Sequence, residues 1–261
     1  MIDFHNHLIP GVDDGASDAE QTRAALETFR AEGVDRVVCT PHVSGEATRR
    51  PAELAELMEQ LDRGWAEAQE VAKGFPEMTV LRGAEVMLDT PDPDLSDPRV
   101  RLAGTSFVLV EFPYMVIPPN GPRALFDLKM AGWSPVLAHP ERYHNASDAM
   151  DDAEEWRRVG ALLQVNSGSL LGRYGPKAQS LAWGLLERGW ADYLSTDYHA
   201  RGRCPAAESR RALADRGAEE QAVLLTETNP ERLLAGQAPL PVPPVQPAPT
   251  LWRRLLGLGR G

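Results

Sequence analysis

Five of the six histidines, His5, His7, His42, His139 and His199, stand where an apolar run gives way to a turn, most of them near a carboxylate. The segments are Asp3-Phe4-His5-Asn6-His7, Thr40-Pro41-His42, Ala138-His139-Pro140-Glu141-Arg142 and Thr196-Asp197-Tyr198-His199. Strands stop at such places and aim their last side chains at a common mouth, so the pattern predicts one multi-metal site assembled from the whole chain. Imidazole and carboxylate suit Zn, Mn and Fe and leave positions open for water and substrate. His5 and His7 are two apart, so on a strand they point the same way. That pair alone is also what an ordinary half-buried strand carries. The wider set is not: gathering five histidines with Asp14, Glu85, Glu111 and Asp197 is costly unless cations compensate them. Such ions can lower the pKa of water from 15.7 to about 7, making hydroxide available near neutral pH.

The elements that must position these residues are short Val/Leu/Ile-rich runs alternating with longer helical patterns, the signature of repeated β-α units with parallel strands. Strands are expected at Ile2 to His7, Asp35 to Thr40, Thr79 to Glu85, Phe107 to Phe112, Ser134 to His139, Ala161 to Asn166 and Asp192 to Thr196. Seven strands suit a barrel better than an open sheet. Asp18 caps a helix reaching Ala31 before Gly33, and Pro51 opens one ending near Lys73-Gly74. Further helices are expected over Arg123 to Ala131, Ala149 to Val159, Lys177 to Arg188, Pro205 to Arg216 and, after Asn229-Pro230-Glu231, Arg232 to Ala235. Thr90 to Pro98 is rich in carboxylates, but its prolines and Asp/Ser residues make it a structural loop.

The chain is expected to comprise one catalytic domain, residues 1–235, a Pro-rich semi-rigid linker, 236–250, and a short basic and apolar tail, 251–261. The tail, Leu251 to Gly261, reads either as a contact for an anionic membrane surface or a partner, or as a disordered end. A net charge of -11 argues against a nucleic-acid partner, because that affinity comes from clustered Lys and Arg. Two cysteines, Cys39 and Cys204, form no disulfide framework, and neither a signal peptide nor a membrane span is legible. A cytoplasmic protein is expected.

Taken in order, Asp3-Phe4-His5-Asn6-His7, Asp13-Asp14-Gly15, Thr40-Pro41-His42, Gly83-Ala84-Glu85, Ala138-His139-Pro140-Glu141-Arg142-Tyr143, Gln164-Val165-Asn166-Ser167 and Ser195-Thr196-Asp197-Tyr198-His199 resemble the polymerase and histidinol phosphatase (PHP) superfamily. Within it they most resemble the bacterial protein-tyrosine phosphatases of capsule and exopolysaccharide operons, from Ile2 to about Ala235. The resemblance implies a distorted (β/α)7 barrel with two or three divalent metals, commonly manganese, at the C-terminal ends of the strands. It implies that His5, His7, Glu85 and Asp197 surround one metal. Glu85 would bridge to a second held by His42 and His139, and Asp14, Glu111 and His199 would complete a third position. Asp14 is preferred to Asp13 because the family's ligand immediately precedes the glycine, and Asp3 is expected to orient a ligand histidine. Arg142 is the first choice for clamping the phosphoryl group, its competing role being a surface pair with Glu141. Arg203 is the second; Arg201 competes because the spacing departs from the family's by about one residue. His199 or a metal-held water would protonate the leaving phenolate. The implied partner is the phosphotyrosine tail of a membrane-anchored autokinase controlling polysaccharide export. Phe112-Pro113-Tyr114 and Tyr143 are the aromatic features available to read the ring, but packing is their commoner role.

Three rivals stand beside this reading. Cys204-Pro205-Ala206-Ala207-Glu208-Ser209-Arg210 has the Cys-x5-Arg spacing of thiolate phosphatases, but it lacks glycine and carries a repelling Glu208. A phosphatase for a small phosphomonoester such as histidinol phosphate is the alternative within the metal class. A non-catalytic, metal-containing scaffold for phosphopeptides is the alternative outside it.

Overall fold

The computed structural model describes residues 1–145 and 149–247, so the tail beyond Pro249 lies outside the described residues. Its strands are all parallel. One sheet has the order β1 (Ile2–Asp3), β2 (Arg36–Cys39), β4 (Thr79–Arg82). The other runs β3 (His42–Ser44), β5 (Glu85–Met87), β6 (Phe107–Glu111), β7 (Ser134–Ala138), β8 (Leu162–Asn166), β9 (Tyr193–Ser195).

Seven of the nine segments fall within the seven expected runs; β5 begins where the run Thr79 to Glu85 was expected to end, and β3 lies outside every expected run. Thr40-Pro41 separates β2 from β3, since Pro41 has no N–H to give a ladder, and Gly83-Ala84 separates β4 from β5. Gly83 N donates to Cys39 O (2.8 Å) and Glu85 N to Pro41 O (3.0 Å), carrying the pairing across both breaks. At the other end, Asp197 N donates to His5 O (2.7 Å) and His7 N to Tyr198 O (2.9 Å), linking the last strand to the first. The parallel α/β class expected from the alternation is what the structure shows.

Val37, Val38, Val86, Val108, Leu109, Val110, Val136, Leu137, Leu163 and Val165 are all fully buried. Strands covered on both faces read as such continuous apolar runs, and each side chain of this size contributes about 1.5–3 kcal/mol on burial. The covering helices are α1 (Ala19–Ala31), α2 (Gly45–Thr48), α3 (Pro51–Ala72), α4 (Gly121–Met130), α5 (Ala149–Arg158), α6 (Ser167–Leu170), α7 (Gly175–Glu187), α8 (Ala206–Ala214), α9 (Glu219–Val223) and α10 (Asn229–Leu234). Helix α1 begins where expected, with the Asp18 side chain accepting from Gln21 N, and it buries Thr22, Ala25, Leu26 and Phe29. The one-turn helices α2 and α6 carry no sequence period long enough to announce them.

The Pro-rich stretch differs from a free-standing linker over its described part. Val242 and Val245 are buried in the main core, Val245 N donates to Leu186 O (2.9 Å), and Asn229 exchanges two bonds with Leu240. Proline spacing shows an extended chain but not what it lies against. In the carboxylate-rich loop, Asp92 binds Arg49, Asp97 binds Arg99, and Leu95 is buried, consistent with a structural role.

Candidate metal centre

All nine proposed ligands converge beyond the C-terminal ends of the strands. His7, Asp14, His42 and His199 form one group of donor atoms, each atom within 4.8 Å of the others. His5, Glu85 and His139 form a second, His5, His7 and Asp197 a third, and His42, Glu85 and Glu111 a fourth. The pairing departs from the family carry-over: Glu111 sits with His42 and Glu85, 3.3 Å from His42 Nδ1, and not with Asp14 and His199. Topology explains this. Strand β6, which carries Glu111, pairs with β5, and β5 pairs with β3, whereas His199 follows β9 at the far edge of that sheet.

Local backbone aims several of these side chains. His139 and Asp197, just past β7 and β9, have φ of 37° and 53°, a left-handed conformation that turns the chain at the strand end at some cost in strain. Gly15 allows the Asp13-Asp14 loop to close on the first strand: a Cβ there would lie 2.0 Å from His7 O. His5 Nδ1 is 2.7 Å from Gln164 Oε1 and His7 Nδ1 is 2.8 Å from Asp13 Oδ2. Donation at Nδ1 leaves each Nε2 lone pair facing the cluster, where His5 Nε2 is 3.2 Å from Glu85 and His7 Nε2 is 3.3 Å from Asp197.

Asp13 is thus the partner of a ligand histidine while Asp14 sits in the ligand group. Asp3 differs from expectation. It receives Asn6 Nδ2, Ser195 Oγ and the backbone N–H groups of His5 and Thr196, so it fixes two strands and touches no imidazole ring. Gln164, which sequence reading quoted without a role, does that work for His5. Its signal was faint, a polar residue inside an otherwise apolar strand.

The electrostatics show what the cluster lacks. Burial opposes a charged His5, yet Glu85 and Asp197 outweigh it and push its pKa up to about 9. Burial likewise opposes ionisation of Glu85, and His5 and His139 reverse this, holding its carboxyl well below the usual range. Carboxylates are therefore ionised and draw protons onto imidazoles, where a divalent cation would serve better. His5 Nε2, His7 Nε2 and Glu85 Oε2 are buried and have no hydrogen-bond partner, an arrangement that costs stability unless an ion meets them. The donor set fits divalent metals.

Over the cluster lies a cavity of about 320 Å³ whose lining includes Arg142, Arg173, Arg201, Arg203, Asp197 and His199. Arg142 pairs with Asp197 through Nη1 and not with Glu141, which is buried and accepts from Asn166 N and Ser169 Oγ. Arg201 is engaged by Asp14, through its backbone O (2.6 Å) and Oδ2 (3.3 Å). Arg203 has no carboxylate pair among the described residues. Arg173, which sequence reading did not single out, binds Glu208 and the backbone O of Arg203. Phe112 and Tyr143 are buried, the Tyr143 hydroxyl accepting from Phe112 N, so they are core; Tyr114 is 91% exposed and lines neither cavity near the cluster.

Cys204 stands apart from this chemistry. It is 1% exposed, burial pushes its thiol up to about 12, and Ala206 to Arg210 form the first turns of α8. Arg210 is paired with Glu227, so the Cys-x5-Arg segment is a helix start and not a phosphate cradle.

Comparison with known proteins gives a consistent picture. Residues 1–235 match the family described as capsular polysaccharide synthesis, CpsB/CapC. The tyrosine-protein phosphatase YwqE of Bacillus subtilis (strain 168) is 30% identical, over 98% of this chain and 99% of its own length. The tyrosine-protein phosphatase CpsB of Streptococcus agalactiae serotype III is 29% identical, over 66% of this chain and 69% of its own. Among solved structures, those of YwqE from Bacillus subtilis and CpsB from Streptococcus pneumoniae, described as unique metal-dependent tyrosine phosphatases, give a match at TM-score 0.77 and 28% identity. It covers 95% of this chain and 100% of the matched one.

Proposed function

Because the chain belongs to the CpsB/CapC family of capsular polysaccharide synthesis, we propose that it is a metal-dependent protein-tyrosine phosphatase. The single observation that carries this is the convergence of nine imidazole and carboxylate side chains, with orphaned buried donor atoms, beneath an arginine-lined cavity. His5, His7, Asp14, His42, Glu85, Glu111, His139, Asp197 and His199 would hold two or three divalent ions of the manganese, iron or zinc type. Such ions neutralise phosphoryl oxygens and acidify water from 15.7 to about 7, supplying a nucleophile without a covalent enzyme intermediate.

The chain's own residues do the rest. Arg142 and Arg203 bind and orient the phosphoryl oxygens, guanidinium planes matching their geometry. His199, half-enclosed at the cavity wall with Nδ1 held by Asp197 O (2.9 Å), or a metal-held water would give a proton to the departing phenolate. Burial, and then the neighbouring His7, hold the His199 pKa below the ordinary value. A phenol pKa near 10 makes that demand modest. The substrate is a phosphotyrosine protein, and a membrane-anchored tyrosine kinase of polysaccharide export is the proposed one. No described helix is long and apolar enough to cross a membrane, so the proposed contact there rests on the Leu251 to Gly261 tail.

Turnover of a phosphotyrosine peptide, histidinol phosphate and p-nitrophenyl phosphate, before and after metal removal with elemental analysis, tests the reading. Loss of phosphotyrosine hydrolysis on chelation and its return with Mn²⁺ are expected. Preferential hydrolysis of histidinol phosphate would transfer the assignment to the small-molecule class, and stoichiometric phosphopeptide binding without phosphate release would leave a scaffold.

A further inference from the structure

A second cavity, of about 290 Å³, adjoins the first, and the two share the walls made by Arg142 and Tyr174. Met115, Tyr143 and Ala178 give it apolar surface, and Glu141, His144 and Lys177 add polar groups. The shared wall is built with care. Tyr174, 41% exposed, lays its ring against the Arg142 guanidinium, 4.1 Å from carbon to ring centre. Gly168 makes room for that ring, since a Cβ there would stand 2.9 Å from Tyr174 Cε2. Asn166 hydrogen-bonds Tyr174 and donates to Asp197 Oδ2 (3.0 Å), and Asp197 in turn pairs with Arg142. The divider is thereby tied to the cluster that it borders.

We infer that this second cavity is the subsite for the residue adjoining the phosphotyrosine in a polypeptide substrate, and that it takes an apolar side chain. The inference rests on the phosphatase reading above and names the polypeptide context that reading leaves open. Consecutive residues lie only about 3.8 Å apart at Cα, so a chain with its phosphotyrosine in the first cavity brings its next side chain to a cavity one side chain away. Met115, Tyr143 and Ala178 offer that side chain apolar contact.

The test compares phosphotyrosyl peptides carrying Leu or Gly beside the phosphotyrosine, each measured against p-nitrophenyl phosphate, on wild type, Ala178→Phe and Met115→Ser. Wild type is expected to favour the Leu peptide about ten-fold in kcat/KM, chiefly through KM. Ala178→Phe, which fills the cavity, should abolish that preference, and Met115→Ser, at a half-buried position on the cavity wall, should reduce it. Equal use of both peptides by wild type, or a preference untouched by Met115→Ser, would overturn the subsite and leave the phosphatase reading intact. Hydrolysis of p-nitrophenyl phosphate with neither peptide turned over would overturn both.

Discussion

Buried carboxylates at two places in this molecule are satisfied in opposite ways. Asp192, at the start of the last strand run, receives Leu163 N (2.8 Å) and Arg157 Nη1 (3.1 Å), and Asp3 receives four donors from its own and a neighbouring strand. Glu85, at the start of β5, has histidine nitrogens around it and, among the described residues, no backbone or amide donor, with Oε2 unpartnered. The first arrangement is complete as it stands and holds strands together. The second sets carboxylate oxygens against imidazole nitrogens, an arrangement that needs protons on the imidazoles or a cation between the two. Sharing the property of burial, the two kinds of carboxylate are told apart by what donates to them.

The sharpest way to break this contrast is Glu85→Gln. Turnover of phosphotyrosine is expected to fall about 10³-fold or more, because several kcal/mol of charge stabilisation depend on the ions it helps hold. Mn²⁺ at one hundred times its Kd should stabilise the wild type by about 2.7 kcal/mol, and calorimetry should show that gain vanish in the variant. Retained Mn²⁺ stabilisation would place the ions elsewhere. A step down in size, Gln164→Leu removes the acceptor for His5 Nδ1 and is expected to cost roughly 10–100-fold in metal affinity or activity, read by metal titration. An effect as large as that of Glu85→Gln would make Gln164 more than a support.

The same contrast explains what was legible before the structure. The convergence of the candidate ligands was legible because most of them stand beside a strand-ending turn, and strand ends in parallel α/β folds share one mouth. Their grouping was not, since Glu111 finds His42 only through the β3-β5-β6 order, which no local pattern encodes. Asp3 and Asp13 are equally acidic neighbours of histidines in the sequence; only coordinates show that one fixes backbone and the other an imidazole. Arg173 and Tyr174 were overlooked because they follow β8 by a turn carrying no motif residue, and the packing of Val242 and Val245 is a tertiary fact that proline content masks.

On the other side of the contrast, Asp192→Ala leaves Leu163 N and Arg157 without their acceptor and is expected to cost about 1–3 kcal/mol of stability by denaturant melts. Metal content and kcat per folded molecule should stay at wild-type values. A variant that folds normally but loses metal would erase the distinction between the two kinds of carboxylate.

The smallest effect belongs to Cys204→Ala, which asks whether a nucleophile hides outside the cluster. With its thiol pushed up to about 12 by burial, only about one molecule in 10⁵ carries the thiolate at pH 7. Phosphotyrosine turnover should therefore match wild type within about two-fold, and the removed sulfur should cost about 1 kcal/mol of packing. The thiol leaves one further trace, in stability. Its folded pKa lies above the unfolded value of 9.0, so between about 9 and 12 the unfolded chain loses its proton first and stability falls as pH rises. Alanine should flatten that alkaline slope while leaving the neutral-pH rate alone. A rate collapse at unchanged metal content would instead give the chemistry to sulfur, and the orphaned donors around Glu85 would need another explanation.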